Sequence, residues 1–543
     1  MNASITWLQR RWALPDETVP AVRGLLQAEI AGSTAFAPEH GIVDWGQAAA
    51  PPEGDPNTPV VVVPHGGRTY IQSRALFEAE RAIARGMAAL AGQAVPVSER
   101  FGENLAALFP GAEPEDRQCA AARVAAERRL AVITGGPGTG KTYTLARILA
   151  LLAAEGTPPS RMRLAAPTGK AAQRMRAAVE ASLLDLPEAF RPLAAGLEAS
   201  ARAGSTLHSL LRYHPGLRRC LGERLPSGTV LIVDECSMVD VHLWRALLAA
   251  LPPDGRLILL GDPNQLESVG QGNVFAGVAR ASDGPPLRGT HVHLTEARRF
   301  RDRPAILELA GALEASDIGA VCDLLERCRG TDAADGVGWI ETPAGVLPVG
   351  RFPESVRAAL ARTADAAGPG EALAALDGVC ILTAQRDAFV GARKVGADIE
   401  QHLVRRGVVR NHPVIINRND PETRLRNGAV GVIRIEDDGS RAAHFLSGDG
   451  TPLPPMSVMK LPEHSPAWAI TIHRSQGSEY EEVLVILPRG ESPLATRELL
   501  YTAITRARRT VYVAGDRESI RKAAGTTGGR LSLLAWQFAK AQG

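Results

Sequence analysis

The sequence lacks the features that are typical of membrane proteins, secreted proteins and cysteine-rich metal-binding proteins. Its six cysteines include no C-x-x-C pair, and this spacing in a chain of 543 residues argues against a disulfide framework or a cysteine metal site. No apolar run is long enough to span a bilayer, and residues 1–11 lack the apolar core of a signal peptide. The formal net charge is only +2, so a nucleic-acid partner cannot be inferred from total charge. We therefore expect a cytoplasmic protein without a membrane partner, in which any nucleic-acid surface is a local basic groove.

The first 112 residues contain no catalytic signature. A proline-rich linker, Pro51–Pro59, precedes two short apolar runs that flank His65-Gly66-Gly67, a pattern that predicts a β-hairpin. Helical spacing of apolar residues then runs from Ala75 to Leu90. These signals predict a small α+β domain, the first of about three or four domains for a chain of this length.

A phosphate-binding loop is predicted between a buried strand and a helix. The apolar run Leu130–Thr134 ends in Gly135–Thr142, which matches G-x-x-x-x-G-K-[ST]. Its glycines let backbone N–H groups and the N-terminus of the next helix point at one anion. Lys141 is then placed to meet the β- and γ-phosphates of ATP, and the Thr142 hydroxyl to ligate Mg²⁺. Upstream, the amide of Gln118 can hold an adenine edge because it offers one donor and one acceptor.

Polar residues follow three further apolar runs, which predict the other strands of a parallel sheet. The runs are Met162–Ala166, Thr229–Val233 and Leu257–Leu260. Because the carboxyl ends of parallel strands meet at one edge of a sheet, the polar residues after them gather there. Asp234 can hold the Mg²⁺ shell, and Glu235 can orient and deprotonate the attacking water. Gln265 lies on the next exit loop, where its neutral amide can sense the γ-phosphate.

A second set of apolar runs, without a phosphate loop, predicts a second nucleotide-binding-type domain stacked on the first, with ATP in the cleft between them. These runs are Val379–Thr383, Val483–Leu487 and Thr510–Ala514. From Val414 to about Lys460, short alternating segments joined by N-G and D-G turns predict a small antiparallel β insert. The basic run Tyr213–Arg224 predicts a short protruding hairpin.

Other candidates carry two open interpretations. Thr168, Thr206 and His208 are of the types that contact a nucleic-acid backbone, but residue type alone favours the alternative that they are helix caps and loop residues. An arginine that reaches the γ-phosphate from the second domain would make hydrolysis depend on cleft closure. Arg299 and Arg506 are the candidates for this role, and the alternative for each is a solvated surface group.

The ordered motifs resemble those of the superfamily 1 DNA helicases, and within them the RecD family. They are G-G-P-G-T-G-K-T, A-A-P-T-G-K-A-A, T-L-H-S-L-L, I-V-D-E-C-S-M, G-D-P-N-Q-L-E-S-V-G-Q-G, L-T-E-A-R-R-F, T-I-H-R-S-Q-G-S-E and Y-T-A-I-T-R-A-R. The match covers about Asp116 to Asp516. It implies an ATP- and Mg²⁺-dependent motor that moves 5′ to 3′ along single-stranded DNA.

The resemblance also implies roles for individual residues. The nucleotide-binding positions are Gln118, Gly136, Pro137, Gly138, Thr139, Gly140, Lys141, Thr142 and Tyr143. The catalytic positions are Lys141, Glu235, Gln265, Arg299 and Arg506, and the metal ligands are Thr142 and Asp234. The strand-contacting positions are Pro167, Thr168, Thr206, His208, Thr471, His473 and Gln476. Arg298 departs from the family, which often has an aromatic residue there, and this bears on local packing more than on catalysis.

The implied fold class is α/β, with two tandem RecA-like P-loop domains built on parallel sheets, a small N-terminal α+β domain and a small antiparallel β-barrel insert. The expected division is a partner-docking N-terminal domain at 1–112, a first motor domain at 113–297 with a hairpin insert at about 213–228, a second motor domain at 298–390 and 466–543, and a β insert at 391–465.

The resemblance implies partners as well. In that family RecD is the alpha subunit of exodeoxyribonuclease V, the RecBCD complex of double-strand-break repair and recombination. We therefore expect RecB- and RecC-like subunits in a heterotrimer, and single-stranded or tailed duplex DNA. Roughly a hundred residues precede the motor, which resembles the subunit form. No acidic cluster of nuclease type follows Asp516, so nuclease activity is expected to belong to a partner. Two alternatives stay open: a stand-alone helicase, and an ATP-gated regulatory or binding subunit without translocation.

Overall fold

The computed structural model describes residues 18–38, 49–55, 57–113, 115–296, 303–330, 332–342, 345–407, 409–447, 451–490 and 492–541. Its α-helices are Val19–Ile30, Arg74–Ala91, Phe101–Leu108, Arg117–Glu127, Lys141–Ala154, Gly169–Leu184, Arg191–Arg202, Leu207–Leu210, Val241–Ala250, Val274–Ala281, Pro304–Glu314, Ile318–Arg327, Glu354–Asp365, Pro369–Gly378, Ala392–Arg406, Ile472–Ser475, Arg497–Ile504, Arg517–Gly525 and Leu534–Lys540. None of the helices in these ranges has both the length and the apolarity needed to cross a lipid bilayer.

A three-stranded sheet lies near the N-terminus. Its strands are β1 (Ala49–Ala50), β2 (Val60–His65) and β3 (Arg68–Ser73), in the order β1-β2-β3. The antiparallel pair β2–β3 turns at Gly66 and Gly67, whose φ angles of 58° and 73° suit glycine. The hairpin predicted around His65 is therefore confirmed.

The first large sheet is parallel throughout. Its strands are β4 (Leu130–Gly135), β5 (Met162–Ala166), β6 (Ser205–Thr206), β9 (Val230–Val233), β10 (Arg256–Gly261) and β11 (His291–Leu294). They pair in the order β11-β4-β10-β9-β5-β6, and helices cover both faces. This confirms the strands predicted from the apolar runs. We call this sheet and its helices the first-sheet module.

Two elements attached to the first-sheet module refine the expected division. The predicted hairpin insert is β7 (Tyr213–His214) with β8 (Arg219–Cys220), and its strands end at Cys220. The helix Arg74–Ala91 packs on Val241–Ala250, with Met87 and Trp244 in one buried cluster. A boundary at residue 112 therefore cuts through a shared hydrophobic core.

The second large sheet is also parallel. Its strands are β12 (Val337–Ile340), β13 (Val379–Thr383), β19 (Ile470–Thr471), β20 (Tyr480–Ile486) and β21 (Ala507–Ala514), in the order β12-β21-β20-β13-β19. Apolar clusters fill both of its faces. The strands predicted from the second set of apolar runs are confirmed, and we call this sheet and its helices the second-sheet module.

The β insert is antiparallel, as predicted, but smaller than its expected range. Its strands are β14 (Asn411–Ile416), β15 (Val430–Ile435), β16 (Arg441–Phe445), β17 (Met456–Ser457) and β18 (His464–Pro466), in the order β17-β16-β15-β14-β18. Because β17 and β18 lie at opposite edges, the described pairs form an open sheet, and the predicted closure into a barrel is not seen among them. The range 391–465 was also too long, since helix Ala392–Arg406 packs with β13 in the core of the second-sheet module.

The last helix crosses between the modules. Leu534–Lys540 falls in the range expected for the second motor domain, yet it packs on helices Arg74–Ala91 and Val274–Ala281 of the first-sheet module. Its Leu534 and Phe538 belong to the buried cluster of that module. A short apolar helix shows which face is buried but not which sheet it covers, so the sequence could not reveal this crossing.

Buried Glu80 forms hydrogen bonds to Ser532 and Leu533, which directly precede the last helix; we call residues 532–540 the crossing segment. Its Oε1 accepts hydrogen bonds from the hydroxyls of Thr34 and Ser532, each at 2.5 Å. Its Oε2 accepts from Gln72 Nε2 at 3.0 Å and from the Leu533 backbone N–H at 3.1 Å. Burial raises the pKa of Glu80 above its ordinary value of 4.5. One buried carboxyl group thus links the N-terminal and C-terminal parts of the described chain.

Candidate active site between the two sheets

The phosphate loop has the conformation that its glycines predict. It joins β4 to helix Lys141–Ala154, and Gly138 and Gly140 have φ angles of 77° and 84°. These left-handed values aim successive N–H groups at one point in front of the helix N-terminus. Lys141 Nζ donates to the carbonyl oxygens of Gly135 at 2.6 Å and Gly136 at 2.9 Å. The loop is therefore a preformed anion cradle with its cation in place.

Gln118, on the helix that precedes β4, contacts the phosphate loop. Asp116 caps its helix by accepting from the backbone N–H groups of Gln118 and Cys119. Gln118 Nε2 then donates to the Thr139 carbonyl oxygen at 3.0 Å, and it lies 2.3 Å from the place where a Cβ on Gly140 would stand. The φ angle therefore favours glycine at 140, and a larger residue there would displace the end of the Gln118 side chain. The adenine contact of Gln118 stays a prediction.

Two carboxylates follow β9 at the same edge of the sheet. Burial, and then the neighbouring charge of Glu235, raise the pKa of Asp234 to about 6. Asp234 Oδ1 accepts from the Glu235 backbone N–H at 2.8 Å. Glu235 itself has a φ angle of 53°, a left-handed conformation that is rare for residues other than glycine and concentrates at functional sites.

Gln265 and Arg506 join the two modules. Arg506 is 2% exposed, and its Nη2 donates to Gln265 Oε1 at 2.8 Å. Its other donors reach the carbonyl oxygens of Thr502 and Ser478. Leu266 extends the junction, because its N–H donates to Thr502 Oγ1 at 2.8 Å. The predicted sensor and the predicted arginine are thus in direct contact across the cleft.

A cavity of about 690 Å³ lies between the modules, within the range of roughly 300 to 1,000 Å³ that is common for small-molecule sites. Its lining includes the predicted residues Pro137, Gly138, Gly140, Lys141, Thr142, Tyr143, Asp234, Glu235, Gln265 and Arg506. Left-handed glycines, a helix N-terminus and four basic side chains fit a polyphosphate, the basic residues being Lys141, Arg174, Arg506 and Arg508. The described residues hold no group of three or more His, Cys, Asp or Glu side chains placed for a metal ion. Thr142 and Asp234 both line the cavity, and Mg²⁺ often takes one or two protein ligands together with phosphate oxygens.

Several residues of this site were missed from the sequence. Arg174, on helix Gly169–Leu184, forms an ion pair with Glu479 of the second-sheet module, and both line the cavity. Buried Asp262 and Tyr501 form a hydrogen-bonded group with exposed Glu314 beside the phosphate loop. Glu479 stands in the quoted motif T-I-H-R-S-Q-G-S-E, which was a usable signal. No spacing rule pairs it with Arg174.

The strand-contacting candidates of the first-sheet module lie at its carboxyl edge. Thr168 follows Pro167, and Thr206 is the last residue of β6. Each caps a helix by accepting at 3.2 Å from a backbone N–H, Thr168 from Ala171 and Thr206 from Ser209. Ala166 and Thr206 are paired in the sheet, so the two threonines lie at neighbouring strand ends. The helix-cap interpretation is therefore confirmed for both, and contact with DNA stays a prediction.

The remaining candidates are placed as follows. The ring of His208 packs edge-on against Tyr213 at 5.5 Å between centroids, and burial lowers its pKa. Thr471 ends β19 next to His473, whose pKa burial also lowers. Gln476 is buried, and its Nε2 donates to the Leu266 carbonyl oxygen at 3.2 Å, so its amide spans the modules. Arg299 and its neighbour Arg298 lie outside the described residues.

Comparison with known proteins identifies similar families and relatives. Residues 113–332 match the AAA domain family, and residues 466–514 match the UvrD-like helicase C-terminal domain. The RecBCD enzyme subunit RecD of Mycolicibacterium smegmatis is 37% identical over 80% of this chain and 75% of that protein. The RecBCD enzyme subunit RecD of Haemophilus influenzae is 29% identical over 76% of this chain and 70% of its own.

A RecD2 helicase is matched as well. The ATP-dependent RecD2 DNA helicase of Deinococcus radiodurans is 30% identical over 77% of this chain but only 49% of its own length. A solved Pif1 helicase from Bacteroides, in complex with ADP-AlF3 and single-stranded DNA, covers 82% of this chain and 97% of its own at 17% identity, with a TM-score of 0.38, too distant to bear on the site. On the strength of the relatives that match most of its length, the chain belongs to the RecD family of ATP-dependent DNA helicases.

Proposed function

We propose that this chain hydrolyses ATP with Mg²⁺ to move 5′ to 3′ along single-stranded DNA and to unwind tailed duplexes. One observation carries the proposal: Lys141, Glu235 and Gln265 of the first-sheet module face Arg506 of the second-sheet module across one cavity. A phosphate held there touches both modules, so its loss can change how they meet. The direction of movement is drawn from the family resemblance alone.

The catalytic roles follow from the positions of the side chains. Lys141 meets charge on the β- and γ-phosphates, and Glu235 orients and deprotonates the attacking water. Gln265 responds to the γ-phosphate and passes its loss to Arg506, while Arg299 is the second candidate arginine. Thr142 and Asp234 would hold Mg²⁺, which would supply positive charge against the phosphate oxygens. Gln118, Gly136, Thr139 and Tyr143 complete the proposed nucleotide site.

DNA is proposed to lie along the carboxyl edges of both sheets. Pro167, Thr168, Thr206 and His208 hold it on one module, and Thr471, His473 and Gln476 on the other. Alternate gripping by the two modules during each ATP cycle advances the protein. In this scheme 113–297 forms the first motor domain, 298–390 with 466–543 the second, 391–465 the β insert and 1–112 a partner-docking domain.

The partners proposed are RecB- and RecC-like subunits in a heterotrimer that acts in double-strand-break repair and recombination. Support comes from relatives that are named as RecBCD subunits and matched over about three quarters of their length. The relative named as a RecD2 helicase supports the alternative proposal of a stand-alone helicase. Gel filtration of the chain alone and with RecB- and RecC-like proteins distinguishes these: co-elution supports the subunit, and a free chain with full unwinding activity supports the stand-alone form.

The first prediction is that Lys141→Ala abolishes both DNA-stimulated ATP hydrolysis and unwinding, since the cradle loses the charge that meets the phosphates. A drop of at least about 10²-fold in kcat is expected. Steady-state ATP hydrolysis with and without single-stranded DNA measures it, with substrates tailed at either end to fix direction. Lys394→Ala, at an exposed lysine that pairs with Asp398, is the matched control.

Either of two results would contradict the proposal. Unwinding by the Lys141→Ala variant at the wild-type rate would remove the ATP site from the mechanism. An absence of DNA stimulation in the chain and also in its reconstituted complex would favour an ATP-gated regulatory subunit without translocation.

A further inference from the structure

Tyr501 reaches from the second-sheet module to the phosphate loop. It lies on helix Arg497–Ile504, and its side chain is buried. Its hydroxyl is 2.9 Å from Asp262 Oδ2 and 2.7 Å from Glu314 Oε1. A Cβ on Gly136 would stand 3.2 Å from the same hydroxyl and 3.7 Å from Glu314 Oε1. We call the contact of Asp262, Tyr501 and Glu314 the carboxyl clasp.

The hydrogen atoms of the carboxyl clasp do not balance if both acids are ionised. A phenol has one hydrogen, so it can donate to one carboxylate only. The second short contact then needs a hydrogen on a carboxyl group. Asp262 is 1% exposed, whereas Glu314 ends its helix at the surface. Burying a negative charge is therefore more costly at Asp262 than at Glu314, so we assign the hydrogen to Asp262.

With the hydrogen on Asp262 Oδ2, the hydrogen bonds form a continuous series in which each group donates to the next. Arg506 Nη2 donates to Gln265 Oε1 at 2.8 Å, and Gln265 Nε2 donates to Asp262 Oδ2 at 3.3 Å. Asp262 Oδ2–H then donates to Tyr501 Oη, whose hydrogen goes to Glu314 Oε1. Asp262 Oδ1 accepts from the Asn264 backbone N–H at 3.0 Å. The chain runs from the predicted arginine to the solvent-facing carboxylate without a break.

The charges around Asp262 support this assignment. Burial raises its pKa above the ordinary value of 3.8, and the charge of Glu314 acts in the same direction. Lys141 and the bonds from Asn264 and Tyr501 act against it, and the net direction is upward. The pKa of Tyr501 is raised well above 10, again by burial first and then by the two acids, so it stays a phenol.

We propose that Asp262 is a neutral acid at physiological pH and that the carboxyl clasp acts through Gln265 to position Arg506 for hydrolysis. Tyr501 is then a positioning residue, and the clasp rests on the proposed function of the cavity as an ATP site. Ionisation of Asp262 releases its proton to solvent and leaves one phenol hydrogen for two carboxylates. One of the two contacts of Tyr501 breaks, and the like charges of Asp262 and Glu314 repel. The repulsion displaces Asp262, and with it the Gln265 amide that donates to its Oδ2.

The test compares the wild type with Tyr501→Phe and Asp262→Asn in DNA-stimulated ATP hydrolysis from about pH 5 to pH 9, where a buried carboxyl group can titrate. Because the active form carries the proton, wild-type kcat falls as pH rises through the pKa of Asp262. Asp262→Asn cannot ionise and loses this alkaline fall. Tyr501→Phe lowers kcat by about tenfold while KM for ATP changes less than about threefold, the pattern of an interaction used mainly in the transition state.

Tyr512→Phe is the matched control, since that hydroxyl meets Ser355 at 3.5 Å on the far side of the second sheet. Infrared difference spectra give a readout that a structural role does not move. The spectrum of the wild type minus that of Asp262→Asn shows a protonated-carboxyl C=O band at neutral pH, and the contribution of Glu80, common to both proteins, cancels. Tyr501→Phe shifts this band if Asp262→Asn does not fold.

Wild-type kcat and an unchanged pH profile in Tyr501→Phe would overturn the carboxyl clasp, as would an infrared spectrum without the band. Failure of the ATP site itself is recognised separately, because Lys141→Ala would then hydrolyse ATP like the wild type.

Discussion

Gly140 and Gly156 have nearly the same backbone conformation in different surroundings. Their φ angles are 84° and 85°, but a Cβ on Gly140 meets Gln118 Nε2 at 2.3 Å, whereas one on Gly156 meets nothing within 4 Å. Alanine at either position should lower the free energy of unfolding by about 1–2 kcal/mol, because a left-handed conformation is strained for any residue with a Cβ. Gly140→Ala should in addition push Gln118 off the Thr139 carbonyl and weaken ATP binding by at least about tenfold.

Thermal unfolding and titration with a fluorescent ATP analogue measure these two effects separately. Both variants should melt at lower temperature, and only Gly140→Ala should bind nucleotide more weakly. Equal nucleotide affinity in the two variants would mean that Gln118 does not brace the loop.

Residues of the phosphate site were predictable where the motif is contiguous in the chain. The local sequence of Gly135–Thr142 determines the conformation of the loop, because the glycines and the helix N-terminus are neighbours in sequence. Arg174 with Glu479, and Tyr501 with Asp262, meet only when the two sheets are stacked. Their partners are set by packing, which one sequence does not encode in any local spacing.

The helix that starts at Gly169 gives a way to separate its cap from its proposed contact with DNA. Thr168→Asp keeps a capping oxygen and should leave the free energy of unfolding within about 0.5 kcal/mol, whereas Thr168→Ala should lose about 1 kcal/mol. The new carboxylate of Thr168→Asp should repel phosphates and weaken single-strand binding by about tenfold at low salt.

Thr168→Asn is the neutral control, since asparagine caps as well as aspartate. Urea unfolding and fluorescence anisotropy with a labelled oligonucleotide are the measurements. If Thr168→Asp binds DNA like Thr168→Asn, the residue serves the helix only.

Strands were predicted better than the pieces between them. β5 and β13 have the bounds read from the sequence, because a strand buried on both faces is a continuous apolar run. The start of the β insert was misplaced, since helix Ala392–Arg406 carries a polar face that hides its buried Val395 and Ile399. Amphipathic helices indicate that a core exists but not which one.

The contact of Glu80 with the crossing segment predicts how the molecule resists unfolding. Glu80→Gln would turn an amide NH₂ toward the Leu533 N–H, and the free energy of unfolding should fall by about 2 kcal/mol. Because burial raises the pKa of Glu80, the wild type is stabilised below 4.5 and loses that stability as pH rises through the raised pKa. The difference between the two proteins should therefore narrow toward alkaline pH.

Urea unfolding as a function of pH, with hydrogen exchange in helix Leu534–Lys540, tests this. Glu78→Gln on the same helix, where Glu78 pairs with Arg74 and Arg81, should change stability by less than about 1 kcal/mol. An unprotected C-terminal helix in the wild type would contradict the fastening role of Glu80.

The return of Leu534 and Phe538 to the first-sheet module also fixes an order of events during synthesis. The ribosome delivers the phosphate loop early, but the side chains that close the hydrophobic core beside it emerge only after the whole second sheet. Until Leu534 and Phe538 have been synthesised, part of the apolar surface of the first-sheet module stays exposed to water. Such surfaces favour aggregation or chaperone binding. A newly made chain can thus complete its first core only after nearly all of its described length has been translated.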